Sequence, residues 1–255
     1  VSEQFTVHKR VLKVDGGFAR VVPVSCMHIG HKQFNEKKCK GYLQYILTTP
    51  DTYALMLGDT IENVLPETAG RHPGSMHDQV LDVEAQRYLA AKMLAPLADA
   101  KKIIGWTESN HSLRSWFEAG FSVERWIADQ IGVEFLGFDA FLDIKVGKQS
   151  YAIHATHGNG GGTSLPSVMG KLVAQVTRCP GADVYIRGHH HRKMLADPPT
   201  INARTGEIKK QLLAATGCFM DYIGGYGHRG ALAPVDVGCV KVKLYKNKWD
   251  THGTL

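Results

Sequence analysis

Five short stretches of this 255-residue chain set nitrogen, oxygen and sulfur donors just after apolar, β-branched runs. Cys26 and His28 follow Val21-Val22-Pro23-Val24, and Asp59 follows Tyr53–Leu57. Asn110 and His111 come soon after Lys102–Trp106, His157 closes the run 150–156, and His189 and His191 follow Val184–Arg187. Thiolate, imidazole, carboxylate and amide oxygen are all ligands for divalent metals. Cys26 and His28 are two residues apart, as are His189 and His191. On extended backbone each pair shares a face, and His190 turns away. Each stretch alone has an ordinary reading: a hydrogen-bonded structural histidine, a Gly58-Asp59 turn or helix cap, a free cysteine acting as a small buried hydrophobe. Five of them at strand ends in one chain are better explained by a shared metal site. Gly158-Asn159-Gly160-Gly161-Gly162 lacks both the GK[ST] ending and the dinucleotide spacing, so it reads as a turn and not a phosphate loop.

The elements that must position these donors follow from periodicity and punctuation. Residues 5–14 and 18–25 are β-branched runs around Asp15-Gly16-Gly17, which predicts a hairpin. Helices are expected over 35–48, ended by Pro50, over 78–99 with an interruption at Pro96, over 121–131 and over 165–178. Strands are expected at 53–57, 102–106, 140–146, 150–156 and 184–187, and residues 193–246 read mainly as strands with Gly-rich turns. Strand–helix alternation followed by a strand-rich half indicates an α/β fold with mixed sheets.

The ordered motifs resemble those of the calcineurin-like metallophosphoesterase superfamily: D-x-H, G-D-x-x-[DE], G-N-H-[DE], H-G and G-H-x-H. Here they read Cys26-Met27-His28, Gly58-Asp59-Thr60-Ile61-Glu62, Ser109-Asn110-His111-Ser112, His157-Gly158 and Gly188-His189-His190-His191. The resemblance spans residues 20 to about 192. It implies two mixed β-sheets packed face to face and flanked by helices, in one domain over 1–255 with a helical elaboration over 64–100. It also implies two divalent ions, zinc, iron or manganese. One would be held by Cys26, His28, Asp59 and His191, the other by Asp59, Asn110, His157 and His189. Such ions sit about 3.5–4 Å apart, clamp a phosphoryl group and acidify a shared water. His111 would protonate the leaving oxygen or stabilise transition-state charge, and Arg114 would contact a phosphate oxygen. Cys26 stands where the family has Asp, and a thiolate there favours softer ions. Ser109 and Ser112 replace the family's Gly and acid. Pro23 lies in an expected interior strand, where a missing N–H is unwelcome. His154 competes with His157, which is preferred because Gly158 follows it.

The expected activity is hydrolysis of phosphate esters, with a phosphodiesterase or nuclease ahead of a phosphomonoesterase. A metal- or nucleic-acid-binding member without turnover is the alternative of another class. Residues 1–50 hold eight Lys/Arg against three Asp/Glu, and residues 51–100 hold three against eight. Basic surface must therefore come from the chain ends, which mildly favours a nucleotide or nucleic-acid substrate. Five cysteines without a CxxC pair argue against a disulfide framework and for a reducing, cytoplasmic setting. The first residues show no secretion-leader pattern, no apolar run is long enough for a membrane span, and nothing signals an oligomeric state.

Overall fold

The computed structural model describes residues 4–66, 75–201 and 205–255. One six-stranded mixed sheet runs in the order β1 (Val7–Leu12), β6 (Asp139–Val146), β7 (Gln149–Thr156), β8 (Val184–Arg187), β12 (Leu212–Ala215), β9 (Met194–Ala196). The other runs β14 (Thr251–Thr254), β13 (Lys241–Tyr245), β2 (Phe18–Val24), β3 (Thr52–Met56), β4 (Ile103–Thr107), β5 (Phe135–Gly137). Among the described residues the short strands β10 (Pro199–Ile201) and β11 (Ile208–Lys210) pair only with each other.

The two large sheets pack face to face. Val21 and Leu55 from one meet Leu142, Ile144 and Ile186 from the other in a single buried cluster. Strand alternation sends the neighbouring residues Val22, Val24, Ala54 and Met56 to the opposite face. There they are covered by α1 (Glu36–Thr48), α3 (Val83–Asp99) and α5 (Val123–Gln130). α6 (Leu165–Arg178) covers Tyr185 and Leu213 on the outside of the first sheet. Burial on both faces explains why β3, β8 and β12 are almost uniformly apolar. Two shorter helices, α2 (Ser75–Asp78) and α4 (Ser112–Ala119), border the site end of the sandwich, and α7 (Tyr226–Arg229) lies in the late loop. The expected elaboration over 64–100 contains α2 and α3, and 67–74 fall outside the described residues. α3 runs through Pro96 without a break and ends one turn later. Among the described residues no helix is long and apolar enough to cross a membrane.

The hairpin expected around Asp15-Gly16-Gly17 does not form. β1 runs parallel to β6 in one sheet, while β2 lies between β3 and β13 in the other. The connecting loop crosses between sheets because side chains satisfy its backbone. The Asp51 carboxylate accepts from Asp15 N at 3.0 Å and Gly16 N at 2.7 Å, and the Tyr53 hydroxyl donates to Lys13 O at 2.6 Å.

Pro23 sits in β2 without cost to the ladder. Val24 O and Cys26 N face β3, bonding Leu57 N at 2.8 Å and Gly58 O at 3.0 Å. By alternation Pro23 faces the other way, beyond Val21, where pairing with β13 ends. Its carbonyl accepts from Thr216 Oγ1 at 2.8 Å.

Asp51→Ala is expected to lower unfolding free energy by about 1 kcal/mol, since it removes two hydrogen bonds that hold the exposed crossing loop, whose N–H groups then turn to water. Urea unfolding with unchanged m-value checks this, and a midpoint equal to wild type would contradict it.

Candidate metal centre

The five donor stretches are the loops that leave the C-terminal ends of β2, β3, β4, β7 and β8. β2, β3 and β4 are mutually parallel, and β7 and β8 are parallel in the other sheet. Ligand sites in open α/β sheets gather at such ends, and here both sheets deliver their loops to one end of the sandwich. The loops are not extended, which corrects the shared-face reading of the Cys26/His28 and His189/His191 pairs. Cys26, His28, Asp59, His189 and His191 all have left-handed φ, between 49° and 71°. Each such non-glycine residue costs of order 1 kcal/mol or more. The pairs converge because alternate residues are turned over, not because a strand points them together. Gly58 (φ 71°) is needed in this packing, because a Cβ there would stand 2.5 Å from Ser109 Cβ.

Three groups of ligand atoms lie within 4.8 Å of one another: Cys26 with His28 and His191; Cys26 with Asp59 and His157; and His28 with Asp59 and His111. Cys26 and Asp59 thus join the histidines of both sheets. His28 Nε2 and His191 Nε2 are 3.2 Å apart. His157 Nε2 lies 3.1 Å from Asp59 Oδ2 and 2.8 Å from Asn110 Oδ1. His189 packs its ring 5.2 Å from that of His157. His154 points elsewhere, to Asp139 Oδ1 at 3.1 Å, with its ring stacked on Phe141.

The outer ring nitrogens fix the tautomers. His28 Nδ1 donates to Glu62 Oε2 at 2.9 Å, and His157 Nδ1 donates to the Leu57 carbonyl at 2.6 Å. His189 Nε2 donates to the Gly160 carbonyl at 3.1 Å. That leaves His28 Nε2, His157 Nε2 and His189 Nδ1 facing inward, and His189 Nδ1 is buried with no hydrogen-bond partner among the described residues. Inward-facing imidazole nitrogens around a buried carboxylate and thiol form a donor set that fits divalent cations, and a cation would satisfy the His189 nitrogen.

Electrostatics agree with that fit. Burial pushes His28 down to about 3 and His189 down to about 4, and it holds His191 well below the usual histidine range. These rings are therefore neutral, as ligands must be. Burial would raise the Asp59 carboxyl, but His111, His157 and His28 around it outweigh this and hold it well below the usual carboxylate range. His157 goes the other way: burial opposes its charge, but Asp59 raises it above 6.5. Burial and Asp59 push the Cys26 thiol well up, so its proton leaves only when a cation stands opposite.

His111 and Arg114 form a pair beside this cluster. His111 Nδ1 donates to the Glu62 carbonyl at 2.8 Å, and its backbone N–H donates to Asp59 Oδ1 at 3.2 Å. Arg114 Nη1 donates to the Glu62 carbonyl at 2.8 Å, and Nη2 donates to His111 Nε2 at 3.2 Å. Burial lowers His111 to about 4.

Two carboxylates that sequence reading gave no role support the loops. Glu62 fixes His28, as described above. Glu124, on α5, accepts from Thr60 N (2.9 Å) and Ser109 Oγ (3.1 Å) at Oε1, and from Thr60 Oγ1 and Trp106 Nε1 (both 2.7 Å) at Oε2. It ties the Asp59 turn to the Asn110 turn, and burial pushes it up to about 7. Its signal was in the sequence: Glu124 shares the buried face of its helix with Val123, Ile127 and Ala128. Ser109 and Ser112 have uses too. Ser109 Oγ also accepts from Ser112 N at 3.3 Å, and Ser112 Oγ accepts from Val123 N at 3.2 Å.

No protein-family model and no curated protein matches the chain. Solved structures share its course at low identity. A predicted phosphoesterase from Streptococcus pneumoniae TIGR4 is 11% identical, with 93% of this chain and 90% of that one covered, at a TM-score of 0.41. Vps29 from Entamoeba histolytica, crystallised with Zn²⁺, is 12% identical over 92% of this chain and 97% of its own, at 0.40. A hypothetical protein from Pyrococcus horikoshii OT3 is 6% identical over 92% and 87%, at 0.44. None of these similarities bears on activity.

Zinc binding should release protons at pH 7, one of them from the Cys26 thiol. Because His157 is protonated below its raised pKa, affinity should strengthen as pH rises from 6 through that value. Calorimetry in buffers of different ionisation enthalpy reads both effects. Cys26→Ala should release about one proton fewer, and an unchanged proton count would exclude the thiol as a ligand.

Proposed function

We propose that this chain is a metal-dependent hydrolase of phosphate esters and that its preferred substrates are diesters. The observation that carries the reading is the convergence of His28 Nε2, from one sheet, and His191 Nε2, from the other, at 3.2 Å beside buried Asp59. Cys26, His28, Asp59 and His191 would hold one ion, and Asp59, Asn110, His157 and His189 the other. Cys26 suits zinc or iron at the first position. Bound divalent ions supply Lewis acidity toward a phosphoryl oxygen and lower the pKa of a shared water.

The chain's own residues do the rest. Glu62 and the Leu57 and Gly160 carbonyls lock the imidazole tautomers. Arg114 brings a guanidinium to the edge of the centre, where it meets charge building on the phosphoryl oxygens. His111 holds that guanidinium through Nε2. At about 4, its pKa leaves no resident proton for a leaving group at pH 7, which favours the charge-stabilising role over the acid role. The diester preference is supported by a cavity of about 490 Å³ beside Asn110 and His157. It gives room for a second ester arm, which a monoester lacks.

Asp59→Asn is expected to cut hydrolysis of bis-p-nitrophenyl phosphate at least ~10²-fold and to lower metal content. A variant keeping more than a tenth of the wild-type rate would remove Asp59 from the centre. His111→Ala should slow nitrophenolate and alkoxide leaving groups by the same factor, about 10²-fold. A larger loss for alkoxides would make His111 a general acid instead.

A further inference from the structure

The same cavity contains a cation with no counter-anion among the described residues. Arg187 closes β8, lines the cavity and is only 7% exposed. Its Nε donates to His190 Nε2 at 3.1 Å and its Nη2 to the Asn159 carbonyl at 3.0 Å. Both acceptors are uncharged, since a ring nitrogen that accepts from a guanidinium carries no proton. Among the described residues no carboxylate lies within ion-pair distance of Arg187. The nearby acid Asp139 is taken by Arg178, at 2.9 and 2.6 Å, and by His154. Lys171, on α6, also lines the cavity and has no ion-pair partner among the described residues. Its Nζ stands 3.0 Å from the position a Cβ would take on Gly160, the residue whose carbonyl holds His189. Glu108, the remaining acid on the wall, accepts from Ser109 N at 2.9 Å. With Arg178 and Asp139 cancelling, Arg187 and Lys171 face Glu108, and the cavity keeps an excess of positive charge.

A buried guanidinium is strongly unfavourable unless an anion meets it. Here two neutral acceptors orient the fork and leave its remaining N–H groups to a cavity that adjoins two proposed metal ligands. We propose that Arg187 and Lys171 bind a second phosphate group of the substrate, carried on the ester arm that enters this cavity. This selects diesters with another phosphate close to the scissile one, and it rests on the hydrolase reading above. Planar, bidentate recognition of phosphate is what a fixed guanidinium does well, and a lysine adds a point charge. A second phosphate can come from a terminal phosphate on a small diester or from the next link of a strand.

Two measurements test this. Phosphorus NMR titration of inorganic phosphate into EDTA-treated protein reads the subsite without turnover. Lys171→Gln should weaken that binding by about tenfold, and Arg187→Gln by about tenfold or more. An unchanged affinity in both folded variants overturns the proposal. If Arg187→Gln fails to fold, as thermal unfolding would show, Lys171→Gln alone decides. The second measurement compares kcat/KM for the p-nitrophenyl ester of thymidine 5′-phosphate, the same ester bearing a 3′-phosphate, and a dinucleotide in which that phosphate is an internal link. Wild type should prefer one of the phosphorylated substrates by about tenfold or more, and the variants should lose most of that preference. The larger preference names the source, terminal phosphate or strand. No preference, or a preference that both variants retain, overturns the proposal. If none of the esters is hydrolysed, the hydrolase reading fails, while the phosphate titration still decides the subsite.

Discussion

Asp59 is an ionised carboxylate with 1% of its surface exposed, placed where the ends of two sheets meet. An isolated charge in that position would be costly by several kcal/mol. The surrounding architecture keeps it charged: His157 lies against Oδ2, the His111 N–H donates to Oδ1, and His28 approaches to 3.9 Å. Without the β2–β3–β4 parallel ladder these groups would not share one end of the molecule. Without the second sheet His157, His189 and His191 would be missing. The imidazoles, one carboxylate and one thiol form a donor set that would leave bound divalent cations under-neutralised, which would suit an anionic substrate.

Holding that charge strains the backbone. Five residues that carry the candidate donors sit at left-handed φ without being glycine. Strain of this kind persists only where surrounding contacts over-determine it, and those contacts are visible. Glu124 binds the Asp59 and Asn110 turns together, and Ser109 and Ser112 continue the network toward the start of α5. The serines that depart from the metallophosphoesterase pattern and the Glu124 carboxylate therefore act as one brace. Cys26 fits the same logic: its N–H and carbonyl are bonded to Gly58 O and Phe219 N, each at 3.0 Å, so the sulfur is held by the backbone whatever its protonation state.

Much of this was legible in the chain. The apolar runs at 53–57, 140–146, 150–156 and 184–187 are strands because both periodicity and burial favour them, and the helices over 35–48 and 165–178 carry their own caps at Asn35 and Ser164. The donor residues could be picked out because each follows such a run. Three features were not legible. Pairing of β1 with β6 is a contact across more than a hundred residues, and the Asp15-Gly16-Gly17 turn, a local signal, points the wrong way because Asp51 completes the loop from outside it. The left-handed turns at Cys26, His28, His189 and His191 violate the local preference of those residue types, and so no propensity reveals them. Pro23 looked out of place only because the end of the β13 ladder is not written in its own neighbourhood.

The central claim is that the ends of two sheets build one centre for two divalent ions bridged by Asp59. Anomalous diffraction at the zinc edge, from crystals grown with zinc, tests it most directly. The account predicts two peaks sharing Asp59. One should lie about 2.3 Å from Cys26 Sγ and within bonding reach of His28 and His191, and the other beside Asn110, His157 and His189. A single peak without Asp59, or zinc bound only at surface histidines, would contradict it.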